Sequence, residues 1–193
     1  MPVMEKQQIE KSDKKKRSTT AAGAATKIVD RMYPNRVALS DDIKKQVCEV
    51  LQQPLAEALD MYSQAKFAHW NVKGDNFYQL HLVFDHVADV IFEQIDPIAE
   101  RITQLGGVAN GTVRQSACSS TIAEYPVETV AGMDHVRALA DSLGHYCQQL
   151  RDASDKVDEI GDKPTSDFFN QLIVDAEEQL YFLESHLEAG DVQ

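Results

Sequence analysis

The chain has 193 residues, 43% of them hydrophobic and 26% charged, with a formal net charge of −12. That size and apolar fraction suit one globular domain with a substantial core and exclude a chain too polar to fold. No apolar run approaches the roughly 18 residues of a membrane span, and the opening MPVMEKQQIEK has no apolar core of a secretory leader. The cysteines, Cys48, Cys118 and Cys147, are odd in number and lack CxxC spacing, which points to a reducing cytoplasm and away from a disulfide framework.

The charge is unevenly placed. Residues 1–36 carry nine Lys/Arg against four Asp/Glu, a net +5, while the remainder carries ten against 27, a net −17. Residues 1–36 therefore read as a basic, largely disordered arm, and residues 37–193 as the folded domain. Lys6, Lys11, Lys14, Lys15, Lys16 and Arg17 concentrate the positive charge. They suit either a solubilising tail or an arm for DNA phosphates, where each neutralised phosphate releases counterions. Glu5, Glu10 and Asp13 dilute the run and argue against an organelle-targeting address. A short helical pattern between Ala21 and Arg36 is interrupted at Tyr33-Pro34-Asn35.

Ser40 is a good N-cap for the first long helix, with Asp41 and Asp42 favourable in its first turn. Ile43, Val47, Val50, Leu51, Leu55, Leu59 and Tyr62 follow at helical spacing, and Pro54 predicts a bend. Gly74 permits a reversal into a second helix over Asn76–Leu105, with Phe77, Leu80, Phe84, Val87, Ile91, Ile95, Ile98, Ile102 and Leu105 inward. Pro97 removes the amide that would bond the Glu93 carbonyl and predicts a kink beside Asp96. Gly106-Gly107 ends this helix, and Thr112–Ser119 reads as a short helix in a long connection. A third long helix is expected over Thr129–Lys156, with Val130, Met133, Val136, Leu139, Leu143, Tyr146 and Leu150 inward. A fourth follows over Thr165–Glu188, with Phe169, Leu172, Ala176, Leu180, Leu183 and Leu187 inward and Pro164 harmless just before it. Four long amphipathic helices without a strand pattern make a bundle.

The second helix also carries His81 with Asp85 and Asp96 with Glu100, each pair spaced i,i+4 and so neighbours on one face. His69 lies twelve residues before His81, across Gly74. Imidazole with carboxylate suits iron, zinc or manganese. Counting from His81 at about 100° per residue, Asp85 falls near 40°, Asp96 near 60° and Glu100 near 100°, one strip that flanks the core stripe. His81 and Glu100, however, are separated by roughly 28 Å of helix at about 1.5 Å per residue, too far to share an ion. An antiparallel two-fold pairing of this helix with a second copy removes the difficulty. His81 with Glu100 and Asp85 with Asp96 share one sum of positions, 181, so each His81/Asp85 pair would meet the partner's Asp96/Glu100 pair. Tyr78, Leu82, Phe92 and Ala99 lie on or beside the same face, as burial would need. The ordinary alternative is a solvated row of helix charges.

The segments HWNVKGDNFYQLH and DPIAERITQLGG, with Asp85 between them, resemble the Dps proteins, the mini-ferritins of the ferritin superfamily, and the similarity runs from about Ser40 to Glu188. The resemblance implies an all-α, ferritin-like four-helix bundle with a short helix in the long BC connection, assembled as a hollow dodecamer. It implies di-iron sites between two-fold-related subunits, with His69, His81 and Asp85 from one and Asp96 and Glu100 from the other, and Trp70 beside the site. It also implies oxidation of Fe²⁺ by H₂O₂ or O₂, a ferric oxide mineral core, and protection of DNA from oxidative damage. Acids at the start of the fourth helix line three-fold pores in this family, which draws attention to Asp162 and Asp167. None of the six histidines has a glutamate three positions before it, so an intra-bundle di-iron centre built on Glu-x-x-His motifs is not expected. His86, His135, His145 and His186 read as surface or packing residues. The competing functions are a nucleoid-structuring, DNA-binding shell with weak or vestigial ferroxidase activity, and a shell that oxidises iron but ignores DNA.

Overall fold

The computed structural model describes residues 26–188. The arm cations from Lys6 to Arg17 lie outside that range. The described residues form five helices: α1 (Asp41–Asn71), α2 (Phe77–Gln104), α3 (Val113–Ser119), α4 (Gly132–Ile160) and α5 (Lys163–Glu188). No strand occurs among them, only an isolated bridge between Lys73 and Ala131. This is the expected four-helix bundle with a short helix in the connection between its two halves.

Local signals explain where the helices start and stop. The Ser40 hydroxyl accepts from the Ile43 amide at 3.3 Å and opens α1. Thr112 and Gln115 cap each other across the first turn of α3. Gly106 has φ +96°, and a Cβ there would collide with the Tyr33 carbonyl. That close approach is occupied by residues 26–36, which are not helical; the rest of the short helical pattern expected between Ala21 and Arg36 lies outside the described residues. The backbone groups of residues 26–36 find partners outside the segment. Tyr33 N–H donates to Gly106 O at 2.7 Å, Val29 N–H donates to Asn110 Oδ1 at 2.9 Å, and Gln115 Nε2 donates to Lys27 O at 2.9 Å. Side-chain amides thus supply what a neighbouring strand would have supplied.

Packing sets the directions. Cys48 lies against Ile102, and Lys66 pairs with Asp85, so α1 and α2 run antiparallel. Gln64 accepts from Ser142 at 2.8 Å and Glu57 faces His145, which makes α4 antiparallel to α1. Gln94 donates to Leu172 O at 3.0 Å, which sets α5 against α2. Helices α2 and α4 are therefore parallel, and the connection holding α3 must travel the length of the bundle. That is the crossover of a ferritin-like topology.

The core contains the predicted stripes, including Leu51, Phe84, Ile91, Ile98, Leu139, Tyr146 and Phe169. Two expectations fail at helix starts. Phe77 is 40% exposed at the first residue of α2, and Val130 is 59% exposed because α4 begins later than expected, at Gly132. Gly132 sits where the end of the Leu80 side chain approaches the backbone, so a larger residue there requires Leu80 to move. Both α1 and α2 continue through Pro54 and Pro97. Cys48 and Cys147 are buried, and burial pushes the Cys147 thiol up to about 12; Cys118 is exposed. All three are free thiols.

An ion pair locks α2 to the α4–α5 turn. Asp162 is 1% exposed and receives Arg101 Nη2 on both oxygens, at 3.2 and 3.0 Å. The Thr165 hydroxyl donates to Asp162 and accepts from Arg101 Nε. Asp162 was one of two acids expected at a pore. Its carboxylate is instead enclosed and engaged by Arg101, whereas Asp167 is exposed. Replacing Arg101 by Met should leave a buried charge without compensation and cost on the order of 3–5 kcal/mol. Denaturant unfolding at fixed chain concentration measures this, and Asp162→Asn added to Arg101→Met should recover much of the loss.

Candidate metal centre

Helices α1 and α2 meet at their Gly74 ends through a reciprocal contact. His69 Nδ1 lies 2.8 Å from the carbonyl of His81, and His81 Nδ1 lies 2.8 Å from the carbonyl of His69. A carbonyl only accepts, so each Nδ1 carries the proton and each Nε2 keeps a free lone pair. The rings stack with centroids 3.7 Å apart and planes 19° from parallel. Two neutral imidazole donors are thereby fixed side by side in the tautomer that binds metal through Nε2.

Asp85, one turn beyond His81, is half-buried and lies 3.6 Å from His69 Nδ1. Its nearest partner is Lys66 Nζ of α1, at 2.5 Å. The Lys66 hydrogen bond is the largest cause holding the Asp85 carboxyl below its ordinary range, with the Lys66 charge adding to it against a burial effect of opposite sign. Lys66 is absent from the predicted set. Its signal was available: it sits three residues before His69, on the same helix face. An ion seated on Asp85 must displace or share this ammonium.

Asp96 and Glu100 are exposed, farther along α2. Among the described residues, no three His, Cys, Asp or Glu side chains of one chain converge as a metal site. His69, His81 and Asp85 are neighbours without closing such a site, and Asp96 and Glu100 stand apart from them. The face carrying them is apolar and uncovered in the single chain: Tyr78 is 65% exposed, Leu82 48% and Phe92 54%. Trp70, beside His69, is 65% exposed. The remaining histidines divide as packing and surface groups. His135 is buried, with Nδ1 2.6 Å from the Tyr125 hydroxyl; His86 is exposed, and His186 Nδ1 lies 2.7 Å from Phe182 O.

A ferritin-like domain model matches residues 48–191. The DNA protection during starvation protein of Agrobacterium fabrum is 34% identical over 150 residues, covering 78% of this chain and 93% of that one. The DNA protection during starvation protein 1 of Deinococcus radiodurans is 34% identical over 143 residues, covering 74% of this chain and 69% of its own. Among solved structures, DpsC from Streptomyces coelicolor superposes with a TM-score of 0.77 at 31% identity, covering 81% of this chain and 91% of that one. The shared fold, the domain match and relatives of this identity over most of the chain agree: the chain belongs to the Dps family of ferritin-like proteins.

Proposed function

We propose that the chain is a Dps-type ferroxidase and iron store whose oxidising centres are completed between two-fold-related copies. The observation that carries this reading is the division of α2. One part holds His81 and Asp85 beside His69, and the other holds Asp96 and Glu100 with the same positional sum, on a face whose Tyr78, Leu82 and Phe92 are uncovered. A helix is too stiff to bring its own two parts together. A second copy, antiparallel about the two-fold axis, supplies the missing acids and covers the face. Twelve such chains form a hollow shell, with Asp167 at the pores.

Fe²⁺ is the substrate. His69 and His81 offer neutral Nε2 donors, while Asp85, Asp96 and Glu100 add negative charge that favours Fe³⁺ over Fe²⁺. Two ferrous ions held together each give one electron to a single H₂O₂. Its O–O bond then breaks by a two-electron step, and no free hydroxyl radical is released. O₂ serves as the alternative oxidant. Hydrated ferric oxide collects inside the acidic shell, and DNA is spared the radical chemistry. A cytoplasmic protein of this kind also touches the nucleoid when its arm binds DNA. The Lys66–Asp85 pair is the feature that favours the second reading, a nucleoid-structuring shell with weak oxidation, because the ammonium opposes a cation at Asp85.

Three measurements test these statements. The first is complementation. Variants His81→Ala/Asp85→Ala and Asp96→Ala/Glu100→Ala should each assemble and be nearly inactive in ferrous oxidation. Co-assembled shells should recover about a quarter of wild-type activity, since random pairing makes half the dimers mixed and each mixed dimer keeps one of two sites. Co-assembled shells of the right size that stay inactive rule out a shared site. The second is Lys66→Met. Removing a partly exposed ion pair worth roughly 1 kcal/mol should tighten Zn²⁺ binding at the centre about fivefold. Calorimetric titration reads this, and unchanged affinity means Lys66 does not compete. The third concerns DNA. Deleting residues 1–17 should abolish gel retardation while leaving iron oxidation intact, and retardation by the full chain should fall with a log–log salt slope of about −0.9 per phosphate contact.

A further inference from the structure

A fully buried carboxylate lies on α1, about three helix turns before His69 of the centre just described. Glu57 is 0% exposed. Its Oε1 accepts from Gln53 Nε2 at 2.7 Å and from the Thr121 hydroxyl at 2.7 Å. Its Oε2 is buried and has no hydrogen-bond partner among the described residues. Protonation does not cure this, because an ionised Oε2 lacks a donor and a protonated Oε2 lacks an acceptor. Among the described residues, one basic nitrogen lies within ion-pair reach of Glu57: His145 Nε2 of α4, at 3.7 Å. A buried carboxylate with an unpaired oxygen and no full counter-charge is expensive to keep.

Thr121 completes the geometry. Its single hydroxyl proton goes to Glu57 Oε1, so its oxygen faces His145 Nε2, 2.8 Å away, as an acceptor. Glu57 Oε1, Thr121 Oγ1 and His145 Nε2 thus form a triangle with edges of 2.7, 2.8 and 3.7 Å. The point in its plane equidistant from all three is about 1.9 Å from each, and a step of about 1 Å off the plane reaches the roughly 2.0–2.2 Å of Zn–N and Zn–O bonds. The His145 side chain is 37% exposed, which opens a route from solvent to the triangle. His145 becomes a donor at Nε2 once its proton sits on Nδ1.

We propose that Glu57, Thr121 and His145 form an intrachain site for a first-row divalent cation, separate from the two-fold centre. The cation supplies the charge that the buried carboxylate lacks, and Glu57 Oε2 turns onto it as a further ligand. One imidazole, one carboxylate and one neutral oxygen, with no thiolate, favour Zn²⁺, Mn²⁺ or Fe²⁺ over a soft ion. Because Thr121 lies just beyond α3, the ion ties the long connection to both α1 and α4.

Zn²⁺ is the probe, measured by equilibrium dialysis on the assembled full-length protein. The wild type should retain one more Zn²⁺ per chain than His145→Ala, and Glu57→Gln should lose the same equivalent. His145→Ala should oxidise iron as the wild type does, so a loss confined to this site is distinguishable from failure of the proposed ferroxidase. Equal Zn²⁺ retention in the wild type and His145→Ala overturns the assignment. Retention of the equivalent in Glu57→Gln overturns it as well, since the imidazole would then bind alone. A check on the unmutated protein covers the case in which Glu57→Gln fails to assemble. Zn²⁺ should protect His145 from diethyl pyrocarbonate, read by peptide mass, and labelling at the metal-free rate overturns the site.

Discussion

The stiffness of α2 is the constraint on which this molecule turns. Its two acid-bearing parts share a face but are held apart by a rod that cannot fold back. The fold gathers His69, His81 and Asp85 at one part and strands Asp96 and Glu100 at the other. A soluble bundle normally covers large apolar residues, yet Tyr78, Leu82 and Phe92 stay open along this same helix. The two-fold pairing proposed above would resolve both facts at once, because the surface that covers the aromatic residues would also deliver the acids.

The first half is held ready by backbone, not by metal. Each imidazole donates to the carbonyl of the other histidine's own residue, so the two rings and the two helix ends constrain one another. This reciprocal arrangement needs His69 near the last turn of α1 and His81 in the second turn of α2, with a tight reversal at Gly74, whose φ is +115°. A residue other than glycine is strained there. The tautomer follows from the carbonyl partners alone, which leaves Nε2 of both rings to face a cation. Lys66 then acts as a resident cation on Asp85. It keeps the carboxylate ionised and its charge balanced, and under the proposed function a metal would have to compete with it.

What the sequence revealed depended on whether the signal was local or periodic. Helix ends were legible through Ser40, Gly74 and Gly106, and the α2 core through its apolar stripe, because capping and burial act over a few residues. The ligand strip of α2 was legible for the same reason, since i,i+4 spacing and equal sums are properties of one helix. The path of residues 26–36 was not, because its backbone partners, Asn110 and Gln115, lie about eighty residues away in the chain. Asp162 looked like a pore acid until Arg101 was placed against it by the packing of α2 on the α4–α5 turn. Phe77 and Val130 followed the apolar pattern but fall at helix starts, where the stripe runs past the end of the bundle. Lys66 was visible at i−3 from His69, but its pairing with Asp85 required the register between α1 and α2.

Where a carboxylate is kept decides what it can do. Asp96 and Glu100 are exposed and stay solvated, with no ion pair among the described residues. In the proposed shell, their desolvation would be deferred to assembly, when imidazoles and cations would arrive together. Asp162 is enclosed, but Arg101 meets both its oxygens, and the pair serves as a bolt between helices. Glu57 follows neither pattern. It is as enclosed as Asp162, yet it faces a hydroxyl, an amide and one imidazole, and its second oxygen has no partner among the described residues. Packing alone gives no reason for a carboxylate there, since glutamine has the same shape without the charge. The charge has a use only if something positive reaches it, and the half-exposed face of His145 is the side from which it can.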